Sequence, residues 1–184
     1  VLKEANPKQT VQRFAAALKS GQYRNAAAEH YGYALALLAN GEYAAARTEL
    51  NTLLATDKER IAYINALAQV DLADKRVPQA LRAYADALQL LPGNPVLTLN
   101  YSRALLQAGQ AGQAQRLLAD YIRRRPPDPM LYKLLADAEI AAGQTAAAHQ
   151  ALAEHYYLNG QTGAAVEQLQ AGIKAPDSDF YRSS

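Results

Sequence analysis

Residues Leu105–Pro129 read LLQAGQAGQAQRLLADYIRRRPPDP: an apolar run, a polar break holding two glycines, a second apolar run and a proline cluster. Within the second run Ala114, Leu117, Leu118, Tyr121 and Ile122 step by three, one, three and one, which gathers them on one face of a helix. Upstream, Ala80, Tyr84, Ala87, Leu88 and Leu91 repeat the pattern. No run of β-branched residues alternates strictly with polar ones, so no segment is a strand candidate. The stretch predicts two helices joined by a tight turn, and the chain as a whole predicts an all-α fold.

Helix ends are written in the same residues. Asn6-Pro7, Asn94-Pro95 and Asp128-Pro129 each set a capping side chain before a proline at the first helical position, where the missing N–H costs nothing. Thr56 with Glu59 fits a capping box. Gly41, Gly109, Gly143 and Gly160 follow apolar runs, where a left-handed residue ends a helix and glycine adopts it without strain. Pro92 and Pro126 forbid continuation of the helices before them. Gly109 and Gly112 are read as turn residues, because no strand precedes them and neither GxGxxG nor a Walker lysine is present.

These marks recur. Ala46, Ala80, Ala114 and Ala148 are spaced by 34 residues, as are Pro92 and Pro126, and Gly109 and Gly143. A 34-residue period with two helices per unit resembles the tetratricopeptide repeat, whose pattern places a small residue late in helix A, glycine at the turn, alanine in helix B and a bulky residue four later. One unit reads Ser102, Leu105, Gly109, Ala114, Leu118 and Pro126; another reads Leu67, Ala68, Ala80 and Tyr84, with Asp71 in place of a large residue and Lys75 in place of the turn glycine. The resemblance implies a superhelix, an α-α solenoid of four to five helix-turn-helix repeats and about ten helices. Its repeats fall near 27–60, 61–94, 95–128 and 129–162, within a single domain over 1–176 and a tail or linker over 177–184. Gly143 to Gly160 and Ala148 to Ala165 are 17 apart, half the period, so the helix near 146–158 serves two repeats; the helix near 24–39 is shared in a similar way.

Composition narrows the function. At 184 residues and 50% hydrophobic content the chain is long enough to bury a substantial core. Nineteen basic against seventeen acidic residues leave a net charge of +2, which gives no electrostatic reason to expect nucleic acid. No window of 18 apolar residues spans a membrane, and the start VLKEANPKQT lacks a signal-peptide core. With no cysteine, disulfides and thiolate metal sites are excluded, while the redox compartment stays open. His30, His149 and His155 form no HExxH, and the pair on one helix is six apart, which turns the rings to different sides. No serine sits in a GxSxG elbow. We therefore expect no catalytic, cofactor-binding or metal residues in this segment. The run Arg123-Arg124-Arg125 reads as a cationic last turn that complements the helix dipole before Pro126. Of the twelve tyrosines, Tyr43, Tyr84 and Tyr121 fall at packing positions, whereas Tyr31 and Tyr157 fall where such arrays face a groove.

The C-terminal half carries a narrower resemblance. NPVLTLNYSRALLQAGQAGQAQRLL and the later AHQALAEHYYLNG followed by AVEQLQ resemble the C-terminal repeat domain of periplasmic zinc metalloproteases of the β-barrel assembly-enhancing family, over about residues 25–175. The resemblance implies a non-catalytic part of a zinc metalloendopeptidase, in the periplasm of Gram-negative bacteria. Zinc and the HExxH would lie in a catalytic domain upstream of Val1, which agrees with the absence of an initiator methionine. The implied partners are protein or extended peptide segments: subunits of the outer-membrane β-barrel assembly machinery, misassembled outer-membrane proteins and the protein's own protease domain. The alternative is a stand-alone scaffold or adaptor in pilus assembly or secretion. In either case the second, fifth, ninth and twelfth positions of each helix A line the concave face, a mixed polar and aliphatic surface suited to extended polypeptide. On those strips, and one place on, the expected protein-binding residues are Tyr31, Asn65, Gln69, Asn100, Arg103, Lys133 and Asp137.

Overall fold

A computed structural model describes residues 6–178. Within them the chain forms ten helices and no strand: α1 Pro7–Ser20, α2 Ala26–Ala39, α3 Tyr43–Thr56, α4 Ile61–Ala73, α5 Val77–Leu90, α6 Pro95–Gln107, α7 Ala111–Ile122, α8 Pro129–Ala141, α9 Thr145–Leu158 and α10 Thr162–Ile173. They form two compact units, α1–α5 and α6–α10. In each unit every helix packs against the next in sequence, and helices two apart also touch, α2 on α4 and α6 on α8. That pattern is a stack of helical hairpins, the all-α solenoid architecture.

The sequence punctuation explains the helix limits. Asn6, Asn94 and Asp128 accept hydrogen bonds from the backbone N–H groups of Lys8, Leu97 and Met130, so each satisfies an amide the first helical turn leaves open. At the A-to-B turns the chain closes with a bond reaching back five residues: Glu42 N to Leu37 O at 2.9 Å, Gln110 N to Leu105 O at 2.8 Å and Gln144 N to Glu139 O at 2.8 Å. This closure needs a left-handed residue, supplied by Gly41, Gly109 and Gly143 with φ of 79°, 72° and 75°. In the α4–α5 turn Lys75 takes that place at φ 59°.

Two local expectations fail. Thr56 does not open a capping box with Glu59: it is the last residue of α3, and its hydroxyl donates to the Leu53 carbonyl at 2.7 Å. The helix runs on because this back-bond is available one turn down, and α4 starts at Ile61 without a side-chain cap. Gly112 is not a turn residue but the second residue of α7.

The alanine positions of the repeat lie in the interior. Ala46, Ala80, Ala114 and Ala148 are all buried. A methyl group there lets two backbones approach, while Leu50, Tyr84 or Leu118 four residues on fills the space beyond. In the first unit Ala34, Leu37, Leu50, Leu53, Tyr63 and Val70 form the core. In the second, Leu97, Leu105, Leu118, Leu131 and Leu135 are buried. Tyr84 is buried, whereas Tyr43 and Tyr121 are only half-buried. Helix α9 packs on both α8 and α10. Its open N-terminus is closed from outside: Asp177 accepts from the Ala146 N–H at 3.0 Å, so the chain after α10 returns to α9. Of the tail expected over 177–184, residues 179–184 lie outside the described residues.

Candidate functional site

Helices α2, α4, α6 and α8 hold the seven residues expected to bind protein. In the first unit Tyr31 on α2 is half-buried; its hydroxyl donates to the Ala62 carbonyl at 3.4 Å, and its ring centre lies 5.2 Å from that of Tyr63. Burial first, then the neighbouring Tyr63, raises the Tyr31 pKa above the ordinary phenol value. Ala62, Asn65 and Gln69 are three and four apart, so they share one stripe of α4, the one Tyr31 reaches. Gln69 is exposed on that stripe. Asn65 is half-buried and has a partner within its own hairpin: its side-chain oxygen accepts from the Tyr84 hydroxyl at 2.8 Å. Burial pushes the Tyr84 pKa up to about 12. Asn65 therefore ties α4 to α5 as well as lining the stripe.

In the second unit Asn100 is half-buried and Arg103 exposed on α6, beside exposed Val96. On α8 the ninth-position Asp137 accepts from the Lys133 ammonium at 2.5 Å, a pair one turn apart. The two are partly exposed, so solvent screens the pair and its net contribution is small. Arg103 makes no ion pair among the described residues, which leaves it as the free positive charge of this face. Met130, 57% exposed, supplies apolar surface on α8, and Tyr157 on α9 is 63% exposed. In the first unit Tyr31 thus meets the α4 face that carries Asn65 and Gln69, whereas in the second Asn100 and Arg103 lie on α6, and Lys133 and Asp137 pair along α8.

Two carboxylates whose surroundings sequence reasoning missed, Asp71 and Glu139, are buried. Arg47 on α3 donates to Asp71 of α4 at 2.9 Å and to Asp74, which caps the end of α4, at 2.6 Å, and Arg76 approaches Asp71 at 3.4 Å. Burial works to lower the Arg47 pKa, but the hydrogen bonds to Asp74 and Asp71 outweigh it and hold the guanidinium charged. Glu139 on α8 is 6% exposed, and its Oε2 has no partner. Burial pushes its pKa up to about 7, against a smaller lowering by a hydrogen bond with Gln115 of α7. The repeat register carried a signal for both: Leu37, Asp71, Leu105 and Glu139 are 34 apart, so two carboxylates stand where the other repeats bury leucine.

The histidines are spent on structure. His30 meets Glu49 at 2.7 Å, His149 meets Gln168 at 2.8 Å, and the His155 ring meets the Pro129 carbonyl at 2.7 Å. No three His, Asp or Glu residues are grouped to hold a metal ion among the described residues. In the arginine run, Arg123 pairs with Asp120, and Arg125 donates to the Gly93 carbonyl at 2.8 Å while lying over the Tyr121 ring. No described helix is long and apolar enough to cross a membrane.

Ten helices in hairpins, left-handed turn residues and buried alanines at 34-residue steps define a tetratricopeptide-repeat domain, a fold of the protein-interaction class. The tetratricopeptide repeat family model matches residues 71–138. Among curated proteins, 90 residues are 34% identical to the β-barrel assembly-enhancing protease of Escherichia coli strain K12, and the same holds for that of Shigella flexneri. The match takes in 49% of this chain and spans 18% of the length of those relatives. Among solved structures, TTC0263, a thermophilic repeat protein of Thermus thermophilus, aligns at a TM-score of 0.62 with 18% identity, over 92% of this chain and 91% of that one. YrrB, described as a tetratricopeptide-repeat protein with an unusual peptide-binding site, aligns at 0.52 with 16% identity, over 95% of this chain and all of that one. At these identities the likeness to the solved structures is one of fold.

Proposed function

We propose that this chain is a non-catalytic polypeptide-binding domain of a periplasmic zinc metalloprotease that oversees outer-membrane β-barrel assembly. Its A-helix stripes engage the assembly machinery and misassembled outer-membrane proteins, and the protease domain that holds the zinc acts on what they deliver. The observation that supports this reading is the 34% identity over 90 residues to the β-barrel assembly-enhancing protease. The stripes suit the task because an unfolded β-barrel protein offers extended backbone and alternating apolar side chains, and amides beside apolar surface recognise both.

The test is binding of the chain to a urea-diluted, unfolded outer-membrane β-barrel protein, with an unfolded α-helical protein as the control. Asn100→Ala combined with Arg103→Glu should weaken the β-barrel complex about tenfold, ~1.4 kcal/mol, while helicity by circular dichroism stays unchanged. Equal binding of both unfolded proteins, with no effect of the substitutions, would remove the β-barrel reading.

A further inference from the structure

The first hairpin carries a cavity that borders the repeat stripe, since Leu35 stands at the ninth position of the first repeat, one turn beyond Tyr31. Between α1 and α2 lies an apolar cavity of about 290 Å³, bounded by Thr10, Arg13 and Phe14 on one side and Gly32, Leu35 and Ala36 on the other. Gly32 makes it. A Cβ at that position would stand 2.6 Å from the Phe14 ring, so only the absent side chain lets the ring lie against the α2 backbone. At the low end of the range for ligand pockets, roughly 300 Å³, the space suits one large apolar side chain rather than a cofactor. No residue of α1 is fully buried, and Leu35 at the mouth is 38% exposed.

The charges of this hairpin are mostly positive; the described exception, Glu29, lies with Arg13 and Arg24 on the adjoining depression rather than in the cavity. Arg13 is the charged residue of its lining, with the guanidinium carbon 4.4 Å from the Phe14 ring centre. Between Glu4 and Glu29 the sequence holds Lys8, Arg13, Lys19 and Arg24 and no carboxylate. All four cations are exposed, and none is ion-paired among the described residues. Such a field attracts acidic chains from solution and repels basic ones.

We propose that the α1–α2 cavity docks an acidic polypeptide segment of a partner protein, which seats one leucine- or phenylalanine-sized side chain over Phe14 and sets its carboxylates against Arg13 and the neighbouring cations. The cavity rests on residues of the first unit, whereas Asn100 and Arg103, tested above, belong to the other.

The experiment is fluorescence anisotropy on the full 184-residue chain. Its probe is a short fluorescein-labelled peptide with one leucine flanked by aspartates and glutamates. Saturable binding is expected, weakened about tenfold or more by Leu35→Asp or by Arg13→Glu, and unchanged by Asn100→Ala with Arg103→Glu. Replacing the peptide's leucine by serine, or its acids by their amides, should weaken binding as much; these peptide changes leave the protein's folding untouched. Circular dichroism confirms that Leu35→Asp and Arg13→Glu remain helical. Absence of saturable binding overturns the proposal, as does binding that survives Leu35→Asp or is lost on Arg103→Glu instead. It is also overturned if the peptide binds only after removal of residues 1–5, which would then be the occupant. Self-association that Leu35→Asp abolishes would overturn it too, by assigning the cavity to a second copy of the chain.

Discussion

Glu139 is the residue whose chemistry is most out of keeping with its place. In the repeat register it stands where Leu37 and Leu105 are buried, and it keeps a carboxylate oxygen with no partner. Its folded pKa of about 7 lies above the 4.5 of the free side chain. Between those values the folded chain holds a proton that the unfolded chain has released, so the contribution of Glu139 to stability is full below about pH 4.5 and is lost as the pH rises through about 7. We expect thermal melts to show this loss, up to about 1.4 kcal/mol per pH unit within the window. Glu139→Leu should remove the slope and raise stability at pH 8 by about 1–3 kcal/mol. A variant whose pH dependence matches the parent would show that Glu139 is hydrated and ordinary. Lys75 is a smaller anomaly: its left-handed φ of 59° carries strain of about 1 kcal/mol that Gly41, Gly109 and Gly143 avoid at equivalent turns.

Between elements, the first unit solves the same problem differently. Asp71 is 5% exposed, yet Arg47 of α3 reaches across to it and to Asp74, so the α3–α4 interface buries a satisfied ion pair. Removing Arg47 leaves the buried Asp71 with only the exposed Arg76, 3.4 Å away. Arg47→Leu should therefore cost about 3 kcal/mol in chemical denaturation, whereas Arg47→Leu with Asp71→Leu should return to within about 1 kcal/mol of the parent. Additive losses would mean that the two side chains contribute independently. None of this was legible in the sequence, although Asp71 stood out as a substitute for a large residue. The partner lies 24 residues away on another helix, and helical periodicity reports which face a residue occupies rather than what it meets there. Asn65 shows the same limit: its stripe was readable, its bond to Tyr84 was not. The cap residues Asn6, Asn94 and Asp128 were readable because capping is decided within a few residues. Thr56 was misread for the complementary reason, since a serine or threonine near a helix end serves a start or a finish equally well locally.

For the whole molecule, the 34-residue period fixed the repeat class, because each hairpin must bury its stripe against a neighbour and so repeats the same small and large residues. Binding residues obey no such constraint. A stripe facing solvent tolerates many side chains, so Gln69, Arg103 and Lys133 were placed by register alone. The central claim, that the A helices present the binding surface, is tested most directly by site-specific photocrosslinking to an unfolded outer-membrane β-barrel protein. The photoreactive residue is placed in turn at Gln69 and Arg103 on α4 and α6, and at exposed Arg82 and Gln113 on α5 and α7. The account predicts crosslinks from Gln69 and Arg103 and none from Arg82 or Gln113; crosslinks confined to the α5 and α7 positions would contradict it.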